Sequence, residues 1–199
     1  MRSIPEALNK VSYWYRTTID VPATYRRRRT WLHFGGVNYA GEIWLNSTKL
    51  GTLKGAFARG DFDITGLVKA GKPAGLAVLV APQPHAGLPH EHTVANGTGH
   101  NGGQTAIDGP TFLSTIGWDW LMAVRDRDTG LWQPVALSDS GPVTIEAPHV
   151  VSHLSTGLDS ADLNIATTLT NHTDHPVTGM LVGTIIGESQ PVEFRRRSR

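Results

Sequence analysis

The chain has 199 residues, with 18 Lys+Arg against 17 Asp+Glu, 22 glycines, 12 prolines and no cysteine. A formal charge of +1 gives no broad field to attract nucleic acid or an anionic membrane. The absence of cysteine excludes disulfide scaffolds, zinc ribbons and thiol chemistry. Met1 to Lys10 holds Pro5, Glu6 and Asn9 and no apolar run, so no signal peptide is expected there. No stretch reaches the roughly 18 consecutive apolar residues of a membrane-spanning helix. A charged fraction of 18%, with Gly, Thr, Val and aromatic usage, leans toward β-structure.

In chain order, Pro5 to Lys10 is the one place for a helical turn, with Ser3 as its N-cap. From Tyr13 the period is two. Tyr13, Tyr15, Thr17 and Ile19 share one strand face, with Trp14, Arg16 and Thr18 on the other. Val21-Pro22 ends this strand, because proline cannot donate to a ladder. Arg26 to Arg29 reads as a solvated connection. Leu32 and Phe34 then face inward, and Gly35-Gly36 stops the strand. Ala40 to Asn46 points Ile43 and Leu45 one way and Glu42, Trp44 and Asn46 the other. Leu76, Val78 and Val80 mark a further strand, closed by Pro82 and Pro84. Short strands between turn signals indicate a sandwich or jelly roll.

Pro82 to Pro110 breaks the pattern, being rich in Gly, His, Asn and Pro without periodicity. Long loops on a rigid sandwich commonly carry function. His85, His90, His92 and His100 raise the question of a metal, but cysteine-free spacing in such a loop fits polar or solvated residues better, and no metal is expected. Strand signals return at Thr111 to Ile116 and Leu131 to Ser138. After a change of character around Gly141 to His149, Leu163, Ile165, Thr167 and Leu169 alternate. Val177 to Ile186 makes another strand, and the chain then runs into Arg195 to Arg199 with no further strand expected. That is about half the strand count of an immunoglobulin-like sandwich.

Three stretches carry a family resemblance. Tyr13-Trp14-Tyr15-Arg16 with Thr17 and Thr18 looks like an opening strand. Leu32 to Thr65, LHFGGVNYAGEIWLNSTKLGTLKGAFARGDFDIT, follows the patterns F-x-G-V, A-x-V-W-L-N-G, L-G-x-H-x-G-x-F and F-D-I-T. Gly117 to Leu137, GWDWLMAVRDRDTGLWQPVAL, is similar to G-W-D-W-x-P…R-D-R-x-x-G-I-W-x-P-V. Together they resemble the N-terminal galactose-binding-like, sugar-binding domain of glycoside hydrolase family 2, in its β-mannosidase and exo-β-glucosaminidase branch. Ser47 stands where the family usually has glycine, and Leu53 where it often has histidine.

The resemblance implies an all-β chain. A jelly-roll β-sandwich over residues 1–146 would be followed by a partial, truncated immunoglobulin-like β-sandwich over 147–199. It also implies that the catalytic TIM barrel lies elsewhere. Retaining glycosidases need two carboxylates about 5 Å apart. The family's acid/base glutamate follows an asparagine, and this sequence has no Asn-Glu pair. Its glutamates (Glu6, Glu42, Glu91, Glu146, Glu188 and Glu193) are scattered, and Asp126 with Asp128 reads as a charge-paired turn. No catalytic residue, turnover or cofactor is therefore expected from this chain.

Sugar recognition is expected instead. A pyranose offers an apolar face to an indole and hydroxyls to a carboxylate. Trp118-Asp119-Trp120 supplies both, and the resemblance assigns Trp118 and Asp119 to the grip on a terminal sugar at the active-site rim. The competing reading makes the tryptophans packing residues and pairs Asp119 with Arg125 or Arg127. The expected role is thus a non-catalytic sugar-binding and scaffold fragment. Its partners would be a terminal β-linked carbohydrate and the enzyme's own barrel. The alternatives are a free-standing carbohydrate-binding module or a ligand-free structural product. The resemblance implies that intact family members are often exported, and with no signal peptide expected in Met1 to Lys10 no localisation is assigned.

Overall fold

The computed structural model describes residues 11–82, 88–89, 105–106, 129–187 and 190–198. Two compact units result, Met1–Asp139 and Ser140–Arg199. The described part is all-β; its helical content is one short 3-10 turn, Ala23–Tyr25.

In the first unit the strands are β1 (Tyr13–Asp20), β2 (Arg29–Phe34), β3 (Val37–Asn38), β4 (Ala40–Leu45), β5 (Thr48–Lys54), β6 (Gly60–Asp63) and β7 (Pro73–Ala81). After them come β8 (Leu88–Pro89), β9 (Thr105–Ala106), β10 (Gly130–Leu131) and β11 (Val135–Ser140). One sheet has the order β1-β7-β4-β5, a second β11-β2-β6, and short ladders join β10 to β3 and β8 to β9. The two larger sheets meet on one core. Leu32 and Phe34 from β2 and Ile64 just after β6 pack with Ile43, Leu45, Val78 and Val80 from the four-stranded sheet.

Burial follows the alternation. Along β4 and β7 every second residue is buried, so Ile43 and Leu45 point inward and Glu42 and Trp44 outward. Each large aliphatic side chain removed from water contributes about 1.5–3 kcal/mol, which makes this layer the main source of stability.

Local motifs have local physical reasons. The β4–β5 hairpin turns on two residues, Asn46 (φ 46°) and Ser47 (φ 68°), between Leu45 and Thr48. Positive φ at both positions is the type I′ geometry that suits the twist of the flanking strands. Asn46 also clamps the turn: its side chain donates to Leu67 O at 3.0 Å and accepts from Gly75 N at 2.9 Å. In Phe62-Asp63-Ile64-Thr65, Ile64 is buried and Phe62 meets Phe34 edge-on at 6.0 Å. Asp63 accepts from the Thr65 N–H at 3.0 Å and the Thr65 hydroxyl at 2.5 Å, and it pairs with Arg29. Burial works to raise the Asp63 pKa. The Thr65 hydrogen bonds and the Arg29 cation outweigh it and hold the carboxyl below its ordinary value. Arg28 pairs with Asp139, so half of the Arg26 to Arg29 run is ion-paired.

The second unit holds two hairpins, β12 (Val143–Leu154) with β13 (Ala161–Asn171) and β14 (Gly179–Ile185) with β15 (Val192–Ser198). The strand β15 corrects the sequence reading. Residues expected to add no strand pair with β14 from Ile185↔Val192 to Gly179↔Ser198, arginines included. Nor does the sequence period predict β12. Its register shifts between Glu146 and His149, where Ala147 takes φ 46° and Pro148 follows, so the period of two is lost.

Candidate functional site

Trp118 and Asp119 lie outside the described residues, as do Trp120, Arg125 to Asp128, the helical turn of Pro5 to Lys10, and His85, His90, His92 and His100. From Thr129 the chain enters the sandwich at once. Gly130 pairs with Asn38 and Leu131 with Val37. The approach there is close: Gly130 has φ 150°, and a Cβ on it would stand 2.8 Å from the Tyr15 hydroxyl. Only glycine meets both conditions. Gly130 and Leu131 are thus fixed to β3.

Beside this seam is a groove of about 570 Å³ between the start of β11, the end of β2 and the β5–β6 connection. Its apolar wall is Phe57 with Trp132, whose rings meet edge-on at 5.4 Å. Phe57 is 68% exposed, unusual for a phenylalanine in a loop. The Trp132 indole N–H donates to Ala56 O at 2.7 Å. Gly36 permits that bond, since a Cβ there would fall 2.6 Å from Trp132 Nε1 and 2.9 Å from Ala56 O. The opposite wall is polar. His33 bridges Asp61, at 2.5 Å from Nδ1, and the Ser138 hydroxyl, at 2.6 Å from Nε2, with Arg59 alongside. An exposed aromatic face opposite a polar rim suits a ring-shaped ligand with hydroxyls. Asn38, 1% exposed on β3, places a buried carboxamide at the same seam.

The sequence singled out Trp132 only as a strand residue, and Phe57, Arg59, Asp61, His33 and Asn38 not as site residues at all. Asn38 had a usable signal, an amide between two apolar residues, Val37 and Tyr39, that bury. Phe57 and Trp132 had none, because their meeting depends on which strands pair.

A second concavity, of about 800 Å³, lies on the outer face of the four-stranded sheet, between Trp14, Arg16 and Thr18 of β1 and Trp44 of β4. Trp14 is 53% exposed. Trp44 is partly buried, and its indole nitrogen is enclosed without a hydrogen-bond partner. Lys49 sits over the Trp44 ring at 5.8 Å and pairs with Glu42 at 3.0 Å.

The described glutamates are committed locally. Glu42 faces Lys49, Glu146 accepts from the Thr144 hydroxyl at 2.8 Å, and Glu193 pairs with Arg195 at 2.6 Å. Among the described residues no three His, Asp or Glu side chains converge as metal ligands would.

Residues 4–133 match the model of the glycosyl hydrolase 2 galactose-binding domain-like family. The chain belongs to this family. Over its whole length it is 30% identical to the exo-beta-D-glucosaminidase of Amycolatopsis orientalis. It is 35% identical, over 71% of its length, to a mannosylglycoprotein endo-beta-mannosidase of Lilium longiflorum. It spans 17% of the first protein and 14% of the second. Among solved structures, the Amycolatopsis orientalis exo-chitosanase matches with a TM-score of 0.71 and 28% identity, over 100% of this chain and 21% of that one. The b-glucuronidase of Ruminococcus gnavus shares the fold at a TM-score of 0.62 and 19% identity, over 93% of this chain and 28% of its own. The family 2 resemblance and the all-β sandwich expected from the sequence are both borne out.

Proposed function

We propose that this chain is the sugar-recognition and scaffold portion of a family 2 glycosidase, whose chemistry resides in a catalytic barrel outside these residues. The observation that carries the reading is the end-to-end likeness to an exo-beta-D-glucosaminidase of which the chain spans only 17%. In this reading residues 1–146 are the galactose-binding-like jelly roll, and 147–199 begin an immunoglobulin-like sandwich. Trp118 and Asp119 reach the barrel's terminal-sugar subsite. The indole stacks on the apolar face of the pyranose and the carboxylate accepts from its hydroxyls. The substrate class is a terminal β-glucosaminide or β-mannoside, in line with the two relatives. No catalytic carboxylate is assigned to this chain.

Two measurements test this. In the protein that includes the barrel, Asp119→Ala is expected to lower kcat/KM for aryl β-glycosides by about 100-fold, the scale of a lost charged hydrogen bond to substrate. An unchanged kcat/KM would remove Asp119 from the site. The present chain is expected to show no saturable tryptophan quenching with mannose, glucosamine or their β-linked disaccharides, because the rest of the subsite belongs to the barrel. Quenching that Asp119→Ala abolishes would instead favour a free-standing carbohydrate-binding module. A free-standing site in the Phe57–Trp132 groove would instead give quenching that Phe57→Ala abolishes and Asp119→Ala leaves intact.

A further inference from the structure

The outer face of the four-stranded sheet carries a feature that the terminal-sugar reading does not use. Successive ladder partners place Arg16, Ala77 and Trp44 in one row across β1, β7 and β4, with Trp14 opposite Leu79 in the next. Trp14 and Trp44 therefore stand two strand spacings apart, about 10 Å, offset by two residues along the strands. On β7 the floor of the groove is Ala77, in the Trp44 row, and Gly75, opposite Thr18; both are small and leave a volume of about 800 Å³, while Leu79 stands opposite Trp14 at its other end. The turn at Asn46 and Ser47 bounds its end, and the Asn46 clamp on Gly75 N and Leu67 O holds that end rigid.

The polar groups of this groove are unbalanced. The Arg16 guanidinium has no hydrogen bond or ion pair among the described residues, whereas the Trp44 indole nitrogen is enclosed and out of a ligand's reach. Asn46 is fully committed to the backbone, and Glu42 is neutralised by Lys49. The face thus offers the Trp14 ring, the edge of a Trp44 ring that Lys49 covers on one side, and one cation unpaired among the described residues, Arg16, with the Ser47 hydroxyl at its end. A fitting ligand supplies apolar ring faces at an extended spacing and acceptor oxygens between them. A β-linked glycan chain has that chemistry, with ring faces for the tryptophans and hydroxyl, ring or carboxylate oxygens for the Arg16 fork.

We propose that the Trp14–Trp44 groove is a second, independent carbohydrate-binding site for an extended β-linked glycan, separate from the terminal-sugar grip of Trp118 and Asp119. The sign of Arg16 sets its selectivity. Neutral or carboxylate-bearing glycans are accepted, and a chain of protonated glucosamine is repelled. The groove would hold a neutral β-mannan near the enzyme while the barrel works on a chain end, and this role rests on the β-mannoside side of the proposed substrate class.

The test is a tryptophan-fluorescence titration of the chain with β-1,4-linked mannohexaose, a β-1,4-linked hexauronate and hexaglucosamine, at about pH 5 where the amines are charged. Saturable binding of mannohexaose or the hexauronate is expected, with hexaglucosamine at least about tenfold weaker. Trp14→Ala and Arg16→Gln should each weaken binding by roughly tenfold. Both side chains are exposed, so the urea midpoint should not move, which separates site loss from misfolding. Asp119→Ala should bind as the parent chain does, so this groove can fail or stand apart from the terminal-sugar reading. Absent hexasaccharide binding, or affinity unmoved by Trp14→Ala and Arg16→Gln, would overturn the proposal. Equal binding of hexaglucosamine would overturn its charge selectivity.

Discussion

Ser47→Gly should stabilise the first unit. Ser47 occupies the second position of the two-residue β4–β5 turn at φ 68°, where an L side chain crowds the following carbonyl at a cost of about 1–2 kcal/mol. Glycine removes that cost but adds unfolded-chain entropy of about 0.4–1 kcal/mol. Ser47 is exposed and its hydroxyl makes no hydrogen bond among the described residues, so little else is lost. The net gain is about 0.7 kcal/mol. With an m-value of about 2 kcal/mol/M, the urea midpoint of the first unit should rise by about 0.3 M. Urea unfolding followed by tryptophan fluorescence reads this directly. Asn46→Gly supplies the contrast, because it relieves the same kind of backbone cost but deletes the hydrogen bonds to Leu67 O and Gly75 N. It should be neutral or destabilising by about 1 kcal/mol. A Ser47→Gly midpoint equal to or below the parent's would refute the argument that this turn is held against its own residue preference.

Leu32→Ala, at a fully buried position in the layer between the sheets, should cost about 2–5 kcal/mol in the same unfolding assay. Acid unfolding should depend on Asp63. Its folded pKa lies below the unfolded value of about 3.9. Its contribution is therefore complete above that value and lost as pH falls through the folded pKa. Asp63→Asn should flatten the loss of stability between roughly pH 5 and pH 2, as measured by circular dichroism. Trp132→Phe deletes the hydrogen bond to Ala56 O while keeping an aromatic wall, and should cost about 1 kcal/mol in unfolding free energy.

The strand faces of the first unit were legible because burial on a pleated sheet has a period of two. Leu32 with Phe34, Ile43 with Leu45, and Leu76 with Val78 and Val80 all face the core as the alternation requires. The outward side of Trp44 followed from the same parity. Legibility failed where the period broke or charge masked it. β12 carries an irregularity at Ala147 and Pro148, and β15 hides in an arginine run that looks like a solvated tail until β14 supplies its ladder partner. Charged residues are poor strand formers alone, but a backbone ladder does not require apolar side chains.

By itself the sequence determined the all-β class, the inward and outward faces of the main strands, and the motif order that marks the family. Those are local properties, set by spacing along one strand or by residues adjacent in the chain. Only the tertiary structure decided that β1 lies beside β7 and β7 beside β4, which turns Trp14, Arg16 and Trp44 into one groove. It likewise decided that Trp132 reaches Ala56 across 76 positions of chain and meets Phe57 beside it. Strand pairing between distant segments is selected by the free energy of the whole sandwich, as the arrangement that buries the most apolar faces with every ladder satisfied. No stretch of sequence carries that sum alone.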